Sequence, residues 1–158
     1  MHYLYTMRYL LIILVASNAW AIDNSIQSLA KANGYNPSQR VITAISNAAM
    51  RYHVSPLELT AIGILETGLG RYNRVRRNSN GTTDQGIFQI NSVNVVSCIE
   101  YNLASIEGNA YCAAKLLNTM ALKHHDYLGR YHSSNLKRKI GYQNAVLKVL
   151  SVQALNID

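Results

Sequence analysis

Apolar residues fall at helical spacing in four stretches of this chain, and one of the four has no polar face. Val41, Ile42, Ile45, Ala48, Ala49 and Tyr52 mark a helix over residues 38–52, opened by Ser38 as its cap. Ala110, Ala113, Ala114, Leu116, Leu117 and Met120 mark another, from Ile106 to about His124. A last one spans about 135–150, with Ile140, Val146, Leu147 and Leu150 inward and Lys137, Arg138 and Lys139 outward. The exception lies at 56–66. There Leu57, Leu59, Ala61, Ile62, Ile64 and Leu65 surround the axis, which predicts a central helix buried on all sides. Ser55, Pro56 and Glu58 give it a cap hydroxyl, a first-turn proline and an acid able to close a capping box, and Gly68 and Gly70 end it. Residues 92–101, with Val93, Val95, Val96 and Ile99, read as a short helix or turn carrying Cys98. Residues 22–37 are polar and turn-rich, with Asn33-Gly34 and Asn36-Pro37, and read as an entry segment with little fixed structure. His53, between two helices, reads as a loop histidine.

One carboxyl group stands out against this pattern. Glu66 occupies the last turn of the all-apolar helix, near the negative end of the helix dipole and among apolar neighbours. Both surroundings disfavour the ionised form, so its pKa is expected to rise. A carboxylic acid still protonated near neutral pH serves as a general acid, and a glycosidic oxygen is a leaving group that needs one. Further on, Asn80-Gly81 followed by Thr82 and Thr83 signals a tight turn and a short hairpin, which would return Asp84 towards Glu66. In Gly86-Ile87-Phe88-Gln89-Ile90-Asn91, an extended backbone puts Gln89 and Asn91 on one face and Phe88 and Ile90 on the other. Amide side chains suit sugar hydroxyls and N-acetyl groups.

Glu66-Thr67-Gly68, a basic loop and the run from Asn80 to Asn91 together resemble the lysozyme superfamily. The nearer branch is the lytic transglycosylases of glycoside hydrolase family 23, particularly the small ones associated with secretion, conjugation or pilus systems. The other is the C-type lysozymes, whose corresponding run is close to Thr82 through Ser92. The resemblance covers residues 40–150. It implies an α+β, predominantly α-helical chain with a lysozyme-like fold and a small β-hairpin beside the cleft, forming one catalytic domain over 38–158. It implies Glu66 as the catalytic group and substrate-binding or supporting roles for Thr67, Asp84, Gln89, Asn91, Tyr111 and Tyr131, with no cofactor and no metal. Gly108-Asn109-Ala110-Tyr111 is similar to the family's glycine-x-x-tyrosine element, which places Tyr111 at the cleft, although helical spacing alone reads it equally as a core tyrosine. Tyr131-His132-Ser133 resembles a loop element whose tyrosine reaches the catalytic glutamate, so the Tyr131 hydroxyl is expected to hydrogen-bond Glu66.

Compartment and charge narrow the partner. Residues 1–21 read as a signal peptide, with Arg8, an apolar core from Tyr9 to Ala16 and Ala19-Trp20-Ala21 as the cleavage pattern; an uncleaved anchor is the competing reading. That core is too short to span a bilayer, and no other segment is long or apolar enough. The net charge is +7, of which the expected mature chain keeps +6 because Arg8 is the only charged side chain lost. Nucleic acid is one option for a basic surface, but an exported protein more often meets anionic cell-wall polymers or lipid, and peptidoglycan stem peptides carry free carboxylates. With the resemblance this implies a periplasmic location in a Gram-negative bacterium, peptidoglycan strands as substrate, a secretion, conjugation or pilus machine as partner, and no stable membrane span. Cys98 and Cys112, an even pair in an exported chain, favour a disulfide contributing about 3 kcal/mol. Two buried thiols are the alternative.

Arg71, Arg74, Arg76 and Arg77 form the densest charge, read either as a solvated loop or as guanidiniums drawing anionic glycan to the cleft. Only Tyr72 is interleaved among them and no nucleic-acid fold signature follows. His124 and His125 are adjacent and cannot share a helix face as metal ligands. Two chemistries fit the cleft. A lysozyme would use Glu66 as acid and Asp84 as stabiliser or nucleophile, adding water. A transglycosylase needs Glu66 alone. The Glu-Thr-Gly context, the start of the Tyr111 helix, Tyr131-His132-Ser133 and two cysteines rather than eight favour the second. A non-catalytic glycan-binding module and a nucleic-acid binder are the readings from other classes.

Overall fold

The computed structural model describes residues 18, 20–71 and 75–154, and the segment read as a signal peptide lies outside them except for positions 18, 20 and 21. The chain is α+β and mostly helical, with a small three-stranded antiparallel sheet. Helix α1 covers residues 20–32. It is followed by α2 (Gln39–Tyr52), α3 (Pro56–Thr67), β1 (Arg76–Arg77), β2 (Thr83–Gln85), β3 (Ile90–Asn91), a 3-10 helix (Ser92–Cys98), α4 (Ile106–Ala121), α5 (Tyr127–His132) and α6 (Leu136–Ala154).

Helix α3 is the buried central helix. Leu59, Ala61 and Ile62 have no exposed surface, and α2 and α6 pack against it. The Ser55 hydroxyl accepts from the Glu58 N–H at 3.3 Å, Pro56 opens the first turn, and Gly68 ends the helix in the left-handed region at φ 61°. A side chain at Gly68 would meet the Tyr35 ring at 2.6 Å, so glycine is required there on two counts. The Glu58 carboxylate accepts instead from the Tyr127 hydroxyl at 2.7 Å, which ties α3 to α5.

Four expectations need correction. Residues 22–37 are not an unstructured entry. Ile22, Ile26, Leu29 and Ala30 make a helical stripe in α1 that the surrounding polar residues disguise, and the last three are fully buried. Asn33 then donates to the Val149 carbonyl of α6 at 3.2 Å. The segment that carries Tyr131 and His132 is helical over Tyr127–His132 rather than a loop, because α5 packs on both α4 and α6, and Ser133 follows in extended backbone. On α6 the inward stripe is Lys139, Tyr142, Val146 and Val149, while Ile140 and Leu147 are half exposed. Lys139 is buried because it pairs with Asp126, whose carboxyl is held far below the usual range by hydrogen bonds from Lys139 and Arg130. Residues 86–89 form a turn instead of an extended run.

The sheet runs β1-β2-β3, with Arg76 opposite Asp84 and Asp84 opposite Asn91. The predicted tight turn closes it: Asn78 N–H donates to the Thr82 carbonyl at 2.8 Å, and Asn80 Oδ1 accepts from Thr82 N–H. The sheet is anchored from below by Asn109 of α4, fully buried. Its Oδ1 accepts from Phe88 N–H at 2.8 Å and its Nδ2 donates to the Gln85 carbonyl at 3.0 Å. Gly86, at φ 78°, lets the turn lie on that amide; a Cβ there would stand 2.2 Å from Asn109 Nδ2. The Cys98–Cys112 disulfide fastens the 3-10 helix to α4. No helix among the described residues is long and apolar enough to cross a membrane.

Candidate functional site

A cavity of about 980 Å³ opens between the hairpin on one side and α4, α5 and the start of α6 on the other, with Glu66 in its lining. Glu66 gets there because α3 is long enough to carry its last turn out of the core and Gly68 then turns the chain away. Its side chain keeps 15 % of its surface exposed. Burial is the main reason that its pKa is pushed up to about 7, and the charge of Asp84 adds to it. A hydrogen bond from the Tyr142 hydroxyl to Glu66 Oε1, 2.7 Å long, and the more distant Arg76 work the other way. Near neutral pH the group is therefore poised between acid and carboxylate.

The tyrosine that bonds Glu66 is Tyr142 of α6. Tyr131 was the expected donor, but its hydroxyl donates to the Phe88 carbonyl at 3.1 Å. Tyr131 still lines the cavity, and burial followed by the nearby Glu66 charge raises its pKa well above that of a free phenol. His132, one residue on, stacks on Tyr142 with ring centroids 4.7 Å apart and planes 2° from parallel. Its Nδ1 stands 3.9 Å from Glu66 Oε1. Burial, then the fields of Arg138 and Arg76, hold its pKa below the ordinary 6.5, which favours the neutral imidazole.

Asp84, Asn91 and Gln89 line the same cavity. The Asp84 oxygens accept from Asn78 Nδ2 at 2.9 Å and from Asn91 Nδ2 at 2.7 Å, so this carboxylate ties the three strands together. Asn91 also caps the 3-10 helix, its Oδ1 accepting from Val93 N–H. Gln89 takes a positive φ of 46° and donates from Nε2 to the Gly86 carbonyl at 2.9 Å. Thr67 is buried; its hydroxyl donates to the Ile87 carbonyl at 2.7 Å and accepts from Gly70 N–H, pinning the end of α3 to the 86–89 turn. Tyr111 is elsewhere. It stacks on Tyr101 at 5.5 Å under the Arg51 guanidinium and does not line this cavity, because its position on α4 faces α2 and the 101–105 loop.

Tyr142, His132, Arg138 and Asn78 join the site without having been expected there. Tyr142 had a visible signal, lying three residues after Lys139 and four before Val146 on the true inward stripe of α6. No group of three or more His, Cys, Asp or Glu among the described residues is arranged to hold a metal ion. Comparison with models of known families, with characterised proteins and with solved structures gave no match.

Proposed function

We propose that this chain is a peptidoglycan lytic transglycosylase with a lysozyme-like fold, cutting the β-1,4 bond between N-acetylmuramic acid and N-acetylglucosamine. The observation that carries the reading is Glu66: one carboxyl with a pKa of about 7 in an open polar cleft, hydrogen-bonded by Tyr142. Protonated Glu66 gives its proton to the glycosidic oxygen as the bond to the anomeric carbon breaks. The resulting carboxylate, which accepts from Tyr142, removes the proton from the sugar's own 6-hydroxyl. That oxygen closes on the anomeric carbon, so a 1,6-anhydro ring forms, the acid is regenerated and no water is consumed. A pKa near 7 suits a group that must act first as acid and then as base.

The bonding of Asp84 supports this reading over hydrolysis, since both of its oxygens already accept from asparagine amides. The muramidase reading retains one point in its favour: the Asp84 charge is felt at Glu66, as in a two-carboxylate site. The expected setting is the periplasm of a Gram-negative bacterium, where such an enzyme opens the wall locally for a secretion, conjugation or pilus apparatus. Mass spectrometry of fragments released from purified sacculi tests the assignment. Anhydromuramyl ends, absent with Glu66→Gln, are the expected result. Reducing ends would make the protein a hydrolase, and intact activity in Glu66→Gln would end the assignment.

A further inference from the structure

The cleft carries more positive charge than a neutral sugar chain can use. Arg76 and Arg77 reach it from β1 and Arg138 from α6, so guanidiniums stand on two walls of one cavity. The fields of Arg76 and Arg138 meet at His132, which places them on a common space. Four basic groups elsewhere are matched among the described residues: Arg40 pairs with Glu107, Lys115 with Glu100, and Arg130 and Lys139 with Asp126. None of the three cleft arginines forms an ion pair or a guanidinium hydrogen bond among the described residues. Among the described residues, the carboxyl groups lining the cavity are Glu66 and Asp84. Asp84 is occupied by Asn78 and Asn91, and Glu66 by Tyr142.

Guanidinium forks match carboxylates in planar, two-point contacts, and a low-dielectric concave wall concentrates their field. An uncharged N-acetylated glycan offers them nothing but hydroxyls and amides. From this geometry we infer that the cleft selects glycan strands bearing carboxylates on their side arms, and that Arg76, Arg77 and Arg138 read the free carboxylates of peptidoglycan stem peptides. Arg138 is the informative member. It sits beside Lys137 in a run that looks like a solvated helix face, yet only α6 brings it to the cavity that the hairpin arginines line. The inference rests on the proposed function for the identity of the strand, but its charge requirement is measured without turnover.

The experiment is co-sedimentation of the Glu66→Gln protein with two preparations of the same sacculi, one untreated and one whose stem carboxylates have been converted to neutral amides with carbodiimide and ethanolamine. Each converted carboxyl gains only a small hydroxyethyl amide, so the two preparations differ chiefly in charge. Binding to untreated sacculi is expected to be roughly tenfold tighter, the scale of three partly exposed ion pairs acting together, and to weaken as salt rises. Adding Arg76→Gln, Arg77→Gln and Arg138→Gln should bring the two preparations level, with an unchanged melting temperature showing that the fold is intact. Arg138→Gln alone should remove part of the preference. Equal binding to both preparations, or a preference that survives the triple substitution, overturns the inference. Loss of anhydromuramyl products from wild-type digests would instead count against the proposed reaction, so the two failures are separable.

Discussion

Replacing Glu66 by Gln should stabilise the protein above neutral pH while removing the group held to be its acid. The carboxyl titrates at an ordinary 4.5 when the chain is unfolded and at about 7 in the folded cleft, chiefly because burial penalises the charge. Since the folded value is the higher one, the folded state binds the proton more tightly. The stability this gives is complete below 4.5 and is lost as pH rises to 7 and beyond. At about 1.36 kcal/mol per pH unit, the loss amounts to about 3 kcal/mol once both states are ionised. Glutamine is neutral throughout and keeps an acceptor for the Tyr142 hydroxyl, so it escapes that loss. Melts followed by circular dichroism should therefore show wild type and Glu66→Gln together at pH 4, and the variant higher by roughly 10 °C at pH 8.5. A gap that stays constant across pH would refute the burial of a titrating acid at this position, independently of the proposed function.

Four further outcomes follow from the same contacts. Tyr142→Phe removes a hydrogen bond that favours ionised Glu66, so the alkaline limb of the kcat/KM profile should move up by roughly one pH unit and turnover should fall; an unmoved limb would show that this contact does not act on the acid. Asp84→Asn removes a charge that raises the Glu66 pKa, so the limb should move down with little loss of turnover, and a loss as deep as that of Glu66→Gln would favour hydrolysis. Replacing Cys98 and Cys112 together by serine opens the link between the 3-10 helix and α4 and should lower stability by about 3 kcal/mol, read by denaturant titration against the oxidised protein. Gly86→Ala forces a methyl against Asn109 at a positive φ, and a loss of about 3 kcal/mol or more is expected; a near-neutral result would mean that the turn does not depend on that buried amide.

Much of the site was written in local pattern. The all-apolar run ending at Glu66 predicts both a buried helix and a raised pKa, since both follow from immediate neighbours. The Asn80-Gly81 signal fixes the hairpin, because a tight turn is decided by a few residues. The disulfide follows from cysteine count once export is assumed. What failed were judgements of which face a helix buries. Helix α1 hid its stripe among polar residues, and α6 turned Lys139 and Tyr142 inward in place of Ile140 and Leu147. The reason lies in partners distant along the chain. Lys139 is tolerated inside only because Asp126 waits there, and half-exposed Ile140 is the consequence.

The same distinction separates Tyr131 from Tyr142. Tyr131 has the more suggestive neighbours in sequence, yet α5 is so oriented that its hydroxyl meets a backbone carbonyl, and the bond to Glu66 comes from a residue 76 positions away. Tyr111 likewise sits on the predicted helix but faces α2 and stacks on Tyr101. The sequence by itself determined where the acid is, what surrounds it along its own helix and how the hairpin turns, because those depend on short-range sterics and burial periodicity. Only the tertiary structure decided which phenol holds the acid and which arginines share its cavity, because helix packing angles choose among side chains that sequence spacing leaves equivalent.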